Sequence, residues 1–183
     1  MWVFGYGSLM WRPGFDFEER VKARAMGYRR CFCIQSVHHR GNENRSGLVL
    51  GLDQGGACEG IAFRIAPSKV NDTLSYLRAR EQVNGVYREA HIPLSVAREV
   101  GTADDNWETV TGVAYLAERA HPSYAGQLPL VRQARQICGA RGLSGDNLDY
   151  FINTLEHLAE LGIRERELER LATVIGGYVC GVG

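Results

Sequence analysis

The hydrophobic period changes along this chain, and the order of the changes limits the architectures open to it. Residues 2–6 (WVFGY) form a short apolar, aromatic run stopped by Gly7-Ser8, which predicts a buried strand entering a glycine loop. Residues 28–34 alternate loosely and are rich in aromatic and small apolar side chains, a second strand. Residues 47–52 and 60–65 are apolar runs joined by Asp53-Gln54-Gly55-Gly56, a pattern that predicts a hairpin. From about 67 to 80 the period lengthens. Val70, Leu74 and Leu77 recur at helical spacing, with Pro67 near the start where its missing N–H is harmless. Strand character returns at 87–94 and 107–116, on either side of a loop at 101–106. Helices close the chain at about 130–140, 146–161 and 164–174. The second carries Leu148, Phe151, Ile152, Leu155, Leu158 and Ala159 on one stripe, with Gly162 as its stop. Strands first, one inserted helix, and helices last predict an α+β fold. The expected form is a curved mixed sheet or small β-barrel with helices packed around it, not a βαβ array.

The 183 residues show no repeat and no Pro/Ser-rich linker, so a single domain over 1–183 is expected. A chain of this length buries roughly 70% of its unfolded surface and needs no disulfide or metal to hold a core. The apolar, glycine-rich tail at 175–183 (IGGYVCGVG) is assigned no element and is left free to be flexible. Lys+Arg and Asp+Glu both number 21, so net charge is zero and cannot supply the main binding term for nucleic acid or an acidic membrane. The expected partner is a small molecule, with no nucleic acid and no membrane; oligomeric state stays open. The balance is uneven, because residues 1–50 carry eight Lys/Arg against four Asp/Glu. That excess is either ordinary solvated surface or a basic rim suited to carboxylates. Five cysteines show no CxxC and no zinc-like His/Cys spacing, so no metal is expected. Together with the lack of a leader pattern or a membrane-length apolar run, they predict a soluble protein of the reducing cytoplasm.

Twenty-two glycines exceed the ~7% of average usage, which means tight turns or backbone brought close to something. The sharpest candidate is the loop Val3-Phe4-Gly5-Tyr6-Gly7-Ser8-Leu9, where two glycines flank a tyrosine just after a strand. Such backbone can converge its N–H groups on an anion, although it lacks phosphate-loop or dinucleotide spacing. It can equally be a plain strand end. Glu81 is the second candidate. It stands at the C-terminal end of the 67–80 helix, where the macrodipole disfavours a carboxylate and pushes its pKa upward, as a general base near neutrality requires. The alternative is a surface carboxylate paired with Arg78 or Arg80. Tyr87 is led back into the sheet near Glu81. His38-His39-Arg40 reads as a solvated polar loop without further ligands. Ser8 lacks the G-x-S-x-G setting of a nucleophile, and Asp104-Asp105 finds no carboxylate partners for glycosidase work.

Residues 2–15 (WVFGYGSLMWRPGF) resemble the N-terminal signature of the ChaC-type γ-glutamylcyclotransferases. The resemblance continues through Gly27-Tyr28-Arg29-Arg30-Cys31-Phe32-Cys33, His38-His39-Arg40-Gly41, Leu77-Arg78-Ala79-Arg80-Glu81 and Val113-Ala114-Tyr115. It extends to His121-Pro122-Ser123-Tyr124-Ala125-Gly126 and to residues 140–147 (ARGLSGDN). These blocks fall in order over almost the whole chain. The resemblance implies cyclisation of the γ-glutamyl group of glutathione to 5-oxoproline and cysteinylglycine, without metal or organic cofactor. It makes Val3, Phe4, Gly5, Tyr6, Gly7, Ser8 and Leu9 the substrate-binding loop and Glu81 the proton acceptor. Tyr87 becomes the tyrosine that follows that glutamate, with Val86 standing where some members carry a second glycine. Other γ-glutamyl peptides or amines, or a binding role without turnover, are the alternatives.

Overall fold

The computed structural model describes residues 1–82, 84–97 and 106–180, with backbone only at 179 and 180. The strands β1 (Trp2–Gly5), β2 (Glu19–Ser36), β3 (Gly47–Arg64), β4 (Tyr87–Ala97) and β5 (Trp107–Ala117) close into a barrel in the order β1-β3-β2-β4-β5. Four helices accompany them: α1 (Val70–Glu81), α2 (Leu130–Gly139), α3 (Asn147–Glu160) and α4 (Arg166–Cys180). The α+β class with a small barrel is thus the observed architecture.

The chain divides into two compact units. The first comprises Met1–Arg30 and Leu52–Glu118, the second Cys31–Gly51 and the residues from Arg119 onward. In the first unit β1 runs antiparallel to β3, with Val3↔Phe63 and Phe4↔Ala62, and parallel to β5, with Trp2↔Gly112 and Val3↔Val113. Lying between two neighbours, β1 is covered on both faces: Val3 and Phe4 have no exposure, which explains its unbroken apolar run. Burying a Val or Phe side chain in this way contributes about 1.5–3 kcal/mol each. β4 instead alternates, with Ile92, Leu94 and Val96 buried. Phe63 meets Phe15 edge to face at a ring separation of 5.6 Å and Phe17 at a tilt at 5.1 Å, and so closes the β1–β3 side of the core.

The second unit is built on helix stripes. Ala134 and Ile137 of α2, Phe151 and Leu158 of α3, and Leu168, Leu171 and Ile175 of α4 are buried. Asn147 opens α3 and is fully buried; its side chain accepts from the Leu48 N–H (2.6 Å) and donates to the Leu48 carbonyl (2.7 Å), standing in for a strand partner. α3 ends where the sequence predicts. Gly162 takes φ +66°, its N–H bonds the Ala159 carbonyl, and the Ile163 N–H bonds the Leu158 carbonyl.

Three expectations differ from the structure. β2 begins at Glu19, nine residues before the run read at 28–34. The hairpin read at 47–65 is a single 18-residue strand, β3. Gly55 (φ +105°) and Gly56 (φ +75°) adopt left-handed dihedrals inside it, so they absorb an irregularity in a continuous strand rather than reverse the chain. The tail given no element is helical as far as Cys180, because the spacing of Leu168, Leu171 and Ile175 carries the buried stripe of α4 onward. Most of the loop at 101–106, with Asp104-Asp105, and the last three residues lie outside the described residues. Among the described residues no helix is long and apolar enough to cross a membrane.

Candidate active site at the end of the first helix

All the residues below belong to the first unit. The covered stripe of α1 runs through Val70, Thr73, Leu74 and Leu77, and Glu81 follows Leu77 at i+4 on the same face. The stripe therefore carries a carboxylate under cover, its side chain only 18% exposed. Burial pushes the Glu81 carboxyl above the ordinary carboxylate range, and the neighbouring Arg80 guanidinium pulls it back part of the way. The sequence argument rested on the helix terminus; the larger cause is desolvation. The ion-pair alternative is also partly realised, since Arg80 Nε lies 3.2 Å from Glu81 Oε1. Arg78 turns elsewhere, closing both ends of its fork on Glu89 of β4 at 2.8 Å each.

Arg80 does more than face Glu81. One Nη donates to the Ser8 hydroxyl (2.9 Å), the other to the Arg12 carbonyl (2.8 Å), the Pro13 carbonyl (3.4 Å) and the Tyr76 hydroxyl (2.9 Å). A single guanidinium thus fastens the glycine loop to the end of α1 and places Ser8 and Glu81 on either side of itself. Only an arginine fork reaches so many acceptors from one position.

The loop is fixed from beneath as well. After β1 the chain turns through a 3₁₀ turn at Ser8–Met10, folding over Gly5 so closely that a Cβ there would lie 3.1 Å from that of Leu9. Tyr6 is buried, and its hydroxyl donates to the Tyr115 carbonyl of β5 (3.0 Å). Arg30, 2% exposed, donates to the carbonyls of Tyr6 and Glu59 from below. The Tyr6 hydroxyl is thus aimed at its own barrel. Val3 and Phe4 are core side chains, with the Phe4 ring lying against Gly60, where a Cβ would meet it at 2.8 Å.

Of the sequence-predicted residues, the structure brings Ser8 and Glu81 together through Arg80 and seats Tyr6 and Leu9 in the loop next to them. Tyr87 opens β4, half-buried, and by strand parity faces the same side as Glu89. The sequence reading missed Glu89 and gave Tyr115 no role. They are direct cross-strand partners in the β4–β5 ladder, and the Tyr115 hydroxyl donates to Glu89 Oε2 (3.1 Å). The available signal was the alternation Tyr87, Glu89, His91, which puts an acidic residue on a sheet face otherwise bearing rings.

The family described as ChaC-like protein matches residues 1–178. The glutathione-specific γ-glutamylcyclotransferase 1 of Mus musculus is 32% identical over 96% of this chain and 78% of its own. The glutathione-specific γ-glutamylcyclotransferase of Escherichia coli K12 is 30% identical over 93% and 71%. γ-Glutamylcyclotransferase 2-3 of Arabidopsis thaliana is 35% identical over 96% and 88%. A crystal structure of a yeast γ-glutamylcyclotransferase specific to glutathione superimposes with a TM-score of 0.84 over 97% of this chain and 96% of that one; at 20% identity it speaks for the fold. Family match and curated relatives alike run nearly from end to end, so this chain belongs to the ChaC-like family, whose curated members named above are γ-glutamylcyclotransferases.

Proposed function

We propose that this protein cyclises the γ-glutamyl group of glutathione, releasing 5-oxoproline and cysteinylglycine, with Glu81 as the proton carrier. The observation that carries the proposal is a carboxyl of raised pKa fastened by one arginine to a rigid glycine loop. The α-nitrogen of the substrate attacks its own side-chain carbonyl carbon. A C–N bond forms in the five-membered ring, and the amide C–N bond to cysteine breaks. The α-ammonium gives up two protons on its way to the lactam N–H, one before the attack and one after it, and the leaving amide nitrogen takes up two on its way to an ammonium. A single carboxylate with a pKa moved toward neutrality serves both steps, and such acid–base help is worth about 10²–10⁴-fold. Because the reaction is intramolecular, holding the folded conformer supplies much of the remainder, with effective molarities of order 10⁵ M in favourable cases. The loop Val3–Leu9 is read as offering backbone donors to the substrate's carboxylate and developing oxyanion, with Tyr87 beside it.

The purified protein incubated with glutathione is expected to yield 5-oxoproline and cysteinylglycine in equal amounts, measured by chromatography. Binding without turnover overturns the proposal in favour of a binding role. Turnover of γ-glutamyl-alanine but not glutathione moves the substrate to other γ-glutamyl compounds.

Arg80 gives a second expectation. Its charge holds the Glu81 carboxyl down, so Arg80→Met raises that pKa further, and the base is ionised only at higher pH. The acid limb of the kcat/KM profile is expected to move upward in pH. KM also rises, because Ser8 and the Arg12 and Pro13 carbonyls lose their tie. An unmoved acid limb would show that Glu81 is not the group being titrated.

A further inference from the structure

Tyr115 is the residue on which the parts of the candidate site converge. Its carbonyl accepts the Tyr6 hydroxyl of the loop (3.0 Å), and its own hydroxyl donates to Glu89 Oε2 (3.1 Å). Glu89 in turn is gripped by both ends of the Arg78 fork at 2.8 Å, and Arg78 precedes Glu81 by one helical turn. A phenol has one hydrogen to donate and lone pairs with which to accept. Once that hydrogen is committed to a carboxylate, the oxygen can serve any further partner only as an acceptor.

Resting on the reaction proposed above, we propose that Glu89 is a positioning residue for substrate binding: held by Arg78, it takes the Tyr115 hydroxyl hydrogen and leaves the phenolic oxygen as an acceptor for the α-ammonium of the γ-glutamyl substrate. An ammonium carries three N–H donors, and only one of them gives its proton to Glu81 before the attack. Others left without acceptors beside a phenol that is itself buried would weaken binding. The electrostatics agree with the geometry. The hydrogen bond from Arg78 foremost holds the Glu89 carboxyl below its usual range, so Glu89 is a charged acceptor. Burial first, and the Glu89 charge next, push the Tyr115 hydroxyl well above the tyrosine range, so it keeps its hydrogen; Glu81 adds to that push, which puts its field on the same phenol. Two carboxylates next to one tyrosine are thereby separated in task, Glu89 fixed as an anion and Glu81 free to exchange a proton.

The test is binding in the Glu81→Gln protein, where glutathione is held without turnover. Titration calorimetry compares glutathione with glutaryl-cysteinylglycine, its analogue lacking the α-amine. Adding Glu89→Gln is expected to weaken glutathione about 10- to 100-fold, the effect of losing a hydrogen bond to a charged group, and to leave the analogue unchanged. Tyr115→Phe is expected to do the same, and Glu89→Gln on top of it to add nothing further. Equal weakening of both ligands, or additive losses that track a falling Tm, overturns the proposal and leaves Glu89 as a brace for α1. If Glu89→Gln folds poorly, Arg78→Gln releases the same carboxylate and is judged by the same two ligands. A protein that binds neither ligand overturns the cyclotransferase reading, and this inference with it.

Discussion

Replacing Glu81 with glutamine is expected to lower glutathione turnover by at least about 100-fold while raising the thermal midpoint at neutral pH. The two effects share one cause. Burial lifts the folded-state pKa of this carboxyl above its unfolded value, so folding favours the protonated form and works against the charged one. The stability associated with Glu81 is therefore fully present below the ordinary carboxylate pKa and is lost as pH climbs through the raised folded value. Glutamine imitates the neutral form at every pH and cannot carry a proton. Wild type and variant should melt together in acid and diverge as pH rises through that window, the variant being the more stable. Arg80 keeps Ser8, Tyr76 and the Arg12 carbonyl in the variant, so the loop stays tied down. Melting curves between pH 4 and 8, run beside a product assay, check both halves. A variant that still turns over glutathione removes Glu81 as the proton carrier. One that melts lower at neutral pH means Arg80 had compensated the buried charge in full.

Gly60→Ala is expected to destabilise the protein by about 1–3 kcal/mol, the usual range for forcing atoms into a filled core, or by more. A Cβ there would come within 2.4 Å of the Gly5 carbonyl oxygen and 2.8 Å of the Phe4 ring. The first neighbour is backbone and cannot rotate aside, so β1 must shift in its pairing with β3. Because β1 leads directly into the loop, the same displacement moves Tyr6 and Ser8, and KM for glutathione should rise along with the fall in Tm. Gly27→Ala, where a Cβ meets nothing within 4 Å despite φ +82°, is the matched control for backbone strain without collision. Denaturant melts with Michaelis kinetics on both variants measure this. Gly60 takes no positive φ, so Gly60→Ala isolates the collision, and an unchanged Tm and KM in that variant would overturn the β1–β3 contact as the cause.

What the sequence reveals is uneven, and the reasons are local. The 67–80 helix is legible because Val70, Leu74 and Leu77 hold one period beneath a proline start. Extending that stripe by four residues would have shown Glu81 to be covered, a stronger reason for its raised pKa than the helix terminus. β3 was misread because Gly55-Gly56 looks the same to a pattern search whether it turns the chain or bulges a strand, and 18 residues far exceeds the usual strand of about 5–6. The first half of β2 was missed for a related reason. Arg20 and Lys22 are exposed, Glu19 and Arg24 are half-buried, and only Ala23 and Ala25 are fully covered, too little apolar surface to declare a strand. The Glu89–Tyr115 pair depends on the β4–β5 register, which no single strand carries. Tyr115 stands in an apolar run where a buried tyrosine needs no further explanation, and Glu89 gains meaning only once its cross-strand partner is known.

Arg30 has a consequence for how a ligand is met. Its guanidinium, sealed below the loop, holds the Tyr6 carbonyl while the Tyr6 hydroxyl is held by β5, so the segment is braced at both ends before anything arrives. A loop held in this way is a preformed mould and not a closing lid. Little conformational entropy remains there to be lost on association, so under the proposed function the free energy of contact would go into bending the substrate back upon itself.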